Sequence, residues 1–385
     1  MTDIKELTNE YDNIVETVPV GKQQKVRLDY LDIAKGIAIF LVVVGHVTEA
    51  FDVPFYRVVI YAFHMPLFFI VSGSVTKRHR HIEKYNLKNF LEFLKKNVLA
   101  LVVPYLIWSL IFMQFDINKV PYILYGTRWS LNEAVTNTAL WFLPCLFSSR
   151  VIVELLLWLS TKFKIHRKVF AAIAAVILFI LGFIIPVPKM QLPFGLSQAP
   201  IAAGFMLMGY VFKGLVDEFH QKSVLLHLIV LAIATVLFVV GVYVIEGQEL
   251  VSMFVCTYGN PIRFFCNAIS GCIMIIVLSS LIAKIPENTC GNKIRKFLSW
   301  LGKSTMGIYL IHVPIARNLI GPFIENTFGL ARLSFLGGLV SGTIALAISC
   351  VLMAIIERYI PQLFGKKLGK VYQWKKVIYE RNKNY

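Results

Sequence analysis

Ten mainly apolar stretches punctuate this chain of 385, most of them near the twenty residues that cross a hydrocarbon layer roughly 30 Å thick at about 1.5 Å per residue. They fall near residues 33–51, 55–75, 97–115, 138–159, 169–185, 199–212, 224–245, 264–285, 304–323 and 334–356. Backbone inside lipid must satisfy its own hydrogen bonds, so such segments are helices. The fold class is therefore all-α, a polytopic membrane helical bundle of about ten transmembrane helices. The sixth stretch is the shortest and follows a proline-rich connection holding Pro186, Pro188, Pro193 and Pro200. A composition 57% hydrophobic and only 16% charged fits no soluble domain of this length.

The formal charge of +17 would suit a nucleic-acid partner if it formed one basic patch, but it does not. Seven of the 39 Lys and Arg fall in 76–96 and eight in the stretch from Glu357 onward, whereas alternate loops hold Lys119, Arg128 and Lys189, with Arg57, Arg263 and Arg332 at helix ends. Cytoplasmic loops are the basic ones, so the alternation predicts an even number of crossings in the cell membrane with both termini cytoplasmic, and no nucleic-acid role. Residues 1–26 form a polar cytoplasmic tail without a signal-peptide pattern, 27–360 the membrane domain and 361–385 a basic cytoplasmic tail. Six cysteines without a CxxC pair suggest neither a zinc site nor a disulfide framework.

Ionisable side chains at membrane depth are costly and mark candidate function. His46 lies thirteen residues into the first stretch, roughly 20 Å from its cytoplasmic end. Lys35 precedes it by eleven residues, about three turns, so both share a helix face. The bland alternative is a snorkelling lysine and a histidine that merely hydrogen-bonds between helices. His64 enters from the opposite side and reaches a comparable depth; it opens a stretch in which Pro66 frees a carbonyl and Ser72 and Gly73 permit tight packing, so a structural kink histidine is the rival reading. Glu49, three residues after His46, either orients the imidazole or is solvated at the helix end. Tyr309 and His312 are neighbours on the ninth helix, placed about a third of the way in from the cytoplasm, either meeting a donor or packing the bundle. Arg150 and Glu154, four apart, suggest an ion pair, with phosphate binding by Arg150 as the alternative; His79 and His81 sit in a basic loop and are expected to solvate it.

The run Arg27-Leu28-Asp29-Tyr30-Leu31-Asp32-Ile33-Ala34-Lys35-Gly36-Ile37-Ala38 leading to Val44-Gly45-His46 resembles the start of the acyltransferase 3 family of bacterial membrane O-acyltransferases, whose mark is Arg or Lys, ten residues, then His. The stretch from His64 to Gly73, Leu140-Trp141-Phe142-Leu143, and Ser304 to His312 agree in order and placement, and the stand-alone form is similar to fucose 4-O-acetylase-like members. Where family members often carry Arg-x-x-Arg before the third helix, this chain has Lys95-Lys96, which supply charge without the bidentate fork.

The resemblance implies transfer of an acetyl or related acyl group from acyl-coenzyme A to a hydroxyl of a cell-surface or lipid-linked sugar. On it, His46 is general base or acyl carrier, with Glu49 and His64 in the catalytic group, and Lys35, Arg150, Tyr309 and His312 hold the donor. No metal is expected, since His46, His64 and His312 lack an acidic partner at ligand spacing. The expected partners are acyl-coenzyme A, a carbohydrate or lipid-linked glycan acceptor and the bilayer, and a homo-oligomer is compatible. Two rival classes stand beside the enzyme: a transporter or exporter of a glycan or its precursor, whose histidines relay protons, and a non-catalytic scaffold.

Overall fold

The computed structural model describes residues 29–48, 52–76, 86–163, 165–184, 192–243 and 250–366. Glu49, His79 and His81 lie outside these described residues. Among the described residues, nine helices are long and apolar enough to cross a membrane: α2 (Phe55–Ser74), α3 (Leu87–Phe112), α4 (Thr138–Lys162), α5 (Arg167–Ile184), α6 (Ala199–His220), α7 (Val224–Tyr243), α8 (Pro261–Ala283), α9 (Gly291–Phe328) and α10 (Phe335–Tyr359). Ahead of them runs α1 (Asp29–Gly45), 17 residues long and continued by a turn to Thr48. The chain is thus an all-α, multi-pass bundle.

α1 is the axis of the site half of the molecule. Most of its residues are buried, and it packs against α9 along its length while touching α2, α8 and α10. Close approach to α9 depends on two glycines: a Cβ added at Gly36 would fall on the carbonyl of Leu298, and one at Gly302 on that of Asp32. Polar links then fix the register, with Arg295 on Asp29 at 2.9 Å and Ser299 Oγ donating to Asp29 Oδ1 at 2.5 Å. At the periphery, α7 presents Leu225, Leu228 and Val236 outward, as a lipid-facing helix should.

Three helices are longer than their apolar cores. α6 continues past Phe212 to His220, because Lys213 and Asp217 pair at 2.5 Å one turn apart and Tyr30 of α1 donates to Asp217 at 2.7 Å. α3 begins at Leu87, not near residue 97, behind a reciprocal cap between Asn86 and Asn89. Lys95 and Lys96 therefore lie within a helix rather than a loop. α9 begins at Gly291 and ends at Phe328, with a wide π-turn over Pro314–Ile320 that follows from the missing N–H of Pro314.

α2 is broken, but not by Pro66. Phe63 leaves helical geometry (φ −142°), and Pro66 sits in the first turn of the following segment His64–Ser74, where its missing N–H costs nothing. The carbonyl of Ile60 at the break is taken by the His64 side chain, 2.8 Å away.

Candidate active site

A cavity of about 300 Å³ opens where the C-terminal end of α1 and the middle of α9 meet the N-terminal halves of α2 and α4, roofed by residues from 250–257 between α7 and α8. His46, His64 and Tyr309 line it together with Arg57, Tyr61 and Arg317. The sequence expectation that His46 and His64 reach one cavity is met.

Each histidine is held in the same way. His46 Nδ1 lies 2.7 Å from Val42 O, His64 Nδ1 2.8 Å from Ile60 O, and His312 Nδ1 2.7 Å from Tyr309 O. A carbonyl only accepts, so Nδ1 carries the proton in each, and in the neutral ring Nε2 keeps its lone pair. For His46 that lone pair lies 3.3 Å from the Tyr61 hydroxyl, at the cavity wall. His46 is therefore oriented by its own helix, one turn back, with its basic nitrogen turned to the space a ligand would fill.

His312 is fully buried and stands behind His46, ring edge to ring face at 5.0 Å; its Nε2 has no hydrogen-bond partner. Tyr309 lines the cavity and donates to the carbonyl of Ala139. Both sit near the middle of α9, which starts well before Ser304, and His312 lies against His46. Asn137 holds α4 against them: its Oδ1 caps Ala139 N at 3.2 Å while its Nδ2 donates to Leu310 O at 3.0 Å.

The other expected site residues are elsewhere. Lys35 pairs with Asp32 at 2.7 Å, about 16 Å along α1 from His46, and is not among the residues lining the cavity. Arg150 lines a second cavity of about 290 Å³ between the C-terminal end of α2, the start of α3 and the later turns of α4. There its guanidinium donates to Asn97 Oδ1 at 3.0 Å and to Ser72 Oγ at 3.2 Å, so these neutral groups, not Glu154, hold it. Lys96 lines the same space. The two cavities occupy opposite ends of α2 and α4, and an aromatic layer lies between them: Phe142 packs on Phe68, Phe69 and Tyr309 with centroids 6.0, 5.4 and 5.2 Å away.

Sequence reasoning passed over Tyr61 and Arg317. Tyr61 is three residues before His64, the spacing of neighbours on an unbroken helix that would have flagged it, and across the break its ring centroid lies 4.8 Å from that of His64. Arg317 lies within a stretch read as membrane-spanning, where an arginine is itself a signal. Residues 250–257 carried no such mark; only the fold brings them over His46.

The sequence model of the acyltransferase 3 family, described as an acyltransferase domain, matches residues 28–356. The chain belongs to this family. The match takes in α1 to α10 apart from the last turn of α10, so the multi-pass helical bundle is the family's domain. It is also similar to the nodulation protein NolL of Mesorhizobium japonicum, 32% identical over 135 residues. That similarity covers 32% of this chain and 35% of the relative, so it bears on a part of each. If the Tyr61–His46 contact matters to this acyltransferase, Tyr61→Phe should lower turnover about fivefold to tenfold, the scale of one hydrogen bond. Steady-state kinetics on the folded variant check this; an unchanged rate would make the contact incidental.

Proposed function

We propose that this acyltransferase moves an acetyl or similar acyl group from acyl-coenzyme A to a sugar hydroxyl, with His46 as the general base. The observation that carries the proposal is the fixed tautomer of His46, whose Nε2 lone pair faces the cavity. The acceptor hydroxyl gives its proton to Nε2 as its oxygen attacks the thioester carbonyl; the tetrahedral intermediate then expels the coenzyme A thiolate, which takes that proton back from the imidazolium. Tyr61 and Tyr309 flank the reacting atoms, and Trp141 lines the same cavity.

On this reading the donor's phosphates dock at the other end, where Arg150 and Lys96 line the second cavity. The seven basic residues of 76–96 support a cytoplasmic side for that end, and for both termini with it. Lys35 serves the site indirectly, by pairing with Asp32 where α1 crosses α9. His312 backs the base rather than touching the donor. Arg150→Ala should raise the KM for acyl-coenzyme A about tenfold or more with a smaller change in kcat. An unchanged KM would place the donor elsewhere.

The deciding experiment uses purified protein in nanodiscs with acetyl-labelled coenzyme A and a crude glycan or lipid-linked sugar extract. Label appearing on glycan, matched by released coenzyme A thiol, supports the proposal. Movement of an intact glycan across a vesicle membrane without thiol release would favour the transporter reading instead.

A further inference from the structure

The segment that roofs the His46 cavity has a fixed shape. Ser252 and Thr257 pair antiparallel around a short turn at Met253–Val255, with Ser252 N donating to Thr257 O at 2.8 Å and Thr257 N to Ser252 O at 3.0 Å. Cys256 closes the turn in the left-handed region (φ 56°), which a residue other than glycine keeps only where its surroundings hold it there. Two ties fasten this hairpin to the bundle. Gln198, buried at the head of α6, donates through Nε2 to Phe254 O at 2.8 Å, and the Phe254 ring packs on Trp141 of α4 with centroids 5.8 Å apart.

Pairing occupies the backbone polar groups of Ser252 and Thr257, so what these residues offer beyond the hairpin is their hydroxyls. Both line the cavity, as do Asn132 from the connection between α3 and α4 and Thr138 at the start of α4. None of these four side chains has a hydrogen-bond partner among the described residues; Asn132 and Thr257 are exposed, and Ser252 and Thr138 are half-buried. Hydroxyls and amides both donate and accept, as the hydroxyls of a sugar do. A single base cannot choose among several sugar hydroxyls; the choice needs groups that hold the neighbouring ones and so present one oxygen in line. A site built to hydrogen-bond a hydroxyl also rejects a ring that lacks it, because its own polar group is then left unpaired.

We propose that the hairpin 252–257 is the acceptor-selecting wall of the cavity. Ser252 and Thr257, with Asn132 and Thr138, hydrogen-bond free hydroxyls on the sugar ring beside the one that is acylated, and Gln198 is a positioning residue that sets the hairpin's height over His46. This inference rests on the acyl-transfer reading and adds how the acceptor is recognised: by its uncharged hydroxyls.

The test keeps the nanodisc assay with labelled acetyl-coenzyme A and the crude glycan extract, whose half-saturating concentration serves as the acceptor KM. Thr257→Val keeps the side-chain shape and removes the hydroxyl. It should raise the acceptor KM about tenfold, the scale of one hydrogen bond, and leave the KM for acetyl-coenzyme A near its wild-type value. Thr257→Ser keeps the hydroxyl and should recover most of that loss, while Ser252→Ala should behave as Thr257→Val does. Gln198→Leu retains both hydroxyls but releases Phe254, so it should raise the acceptor KM and scatter label over more than one hydroxyl, read by mapping the labelled position in the product. A Gln198→Leu variant that loses only melting temperature, with label position and acceptor KM unchanged, would make the glutamine structural and overturn its part. Folded Thr257→Val and Ser252→Ala variants with the wild-type acceptor KM would overturn the proposal while leaving acyl transfer standing. So would a raised donor KM with unchanged acceptor KM, which assigns the hairpin to the donor. Absence of any labelled glycan from wild type strikes the acyl-transfer reading itself, and this inference falls with it.

Discussion

Replacing His46 by alanine is expected to lower acyl transfer by about a hundredfold to ten-thousandfold, the range supplied by a positioned general base. The geometry gives the reason. His46 Nδ1–H is committed to Val42 O, so the ring cannot turn away, and Nε2 is the nitrogen at the cavity wall. Alanine removes the base and leaves space at the end of α1, where His46 is only half-buried, so the bundle should hold. Folding is checked by gel filtration and the detergent melting temperature, activity by release of coenzyme A thiol and by label on glycan. Gln in place of His46 retains polarity without a basic nitrogen and should be equally inactive. A folded His46→Ala variant that transfers at the wild-type rate would remove His46 from the chemistry. His64 is the next candidate, since its Nδ1 is likewise tied to a carbonyl and it lines the same cavity.

The second large effect is expected at Gly302, far from any reacting atom. A Cβ there would fall on the Asp32 carbonyl, which the α1 backbone cannot move without parting α1 from α9. Gly302→Val should therefore destabilise the bundle by about 1–3 kcal/mol or more, by the usual cost of overpacking a filled contact. It should also displace the Asp32–Lys35 pair and shift His46 against Tyr309 and His312, because all three rings ride on these two helices. A lower melting temperature together with lost transfer is the expected result. Wild-type melting and turnover would mean that the contact is slack and that His46 is positioned by other neighbours.

Much of the fold was legible because a bilayer leaves so few choices. Apolar length and the alternation of basic loops are both properties of the chain read in one dimension, and they marked out the spans. The ends of the helices were less legible. Asp217 and Lys213 look like loop residues until Tyr30 and each other are found as partners, and they extend α6. Pro66 was read as freeing a carbonyl, but proline is harmless in a first turn, and the departure from helical geometry lies at Phe63. The site was half legible. His46 and His64 were flagged by the cost of polar groups at depth, and helix rise put them at one level. Arg150 was flagged by the same rule, yet its partners, Ser72 and Asn97, come from α2 and α3.

By itself, then, the sequence determined the class of the protein, the membrane helices and the family motif around Lys35 and His46. Those follow from hydropathy, from charge alternation and from the rise of a helix, none of which needs a neighbour. Only the tertiary structure decided which ends of which helices meet. It put Arg317 and Arg57 on either side of Thr48, set His312 behind His46, and sent Lys35 and Arg150 away from the first cavity. Those facts turn on how helices pack, which here rests on backbone-to-backbone contacts at Gly36 and Gly302 and on side chains far apart in the chain, so no reading of local spacing contains them.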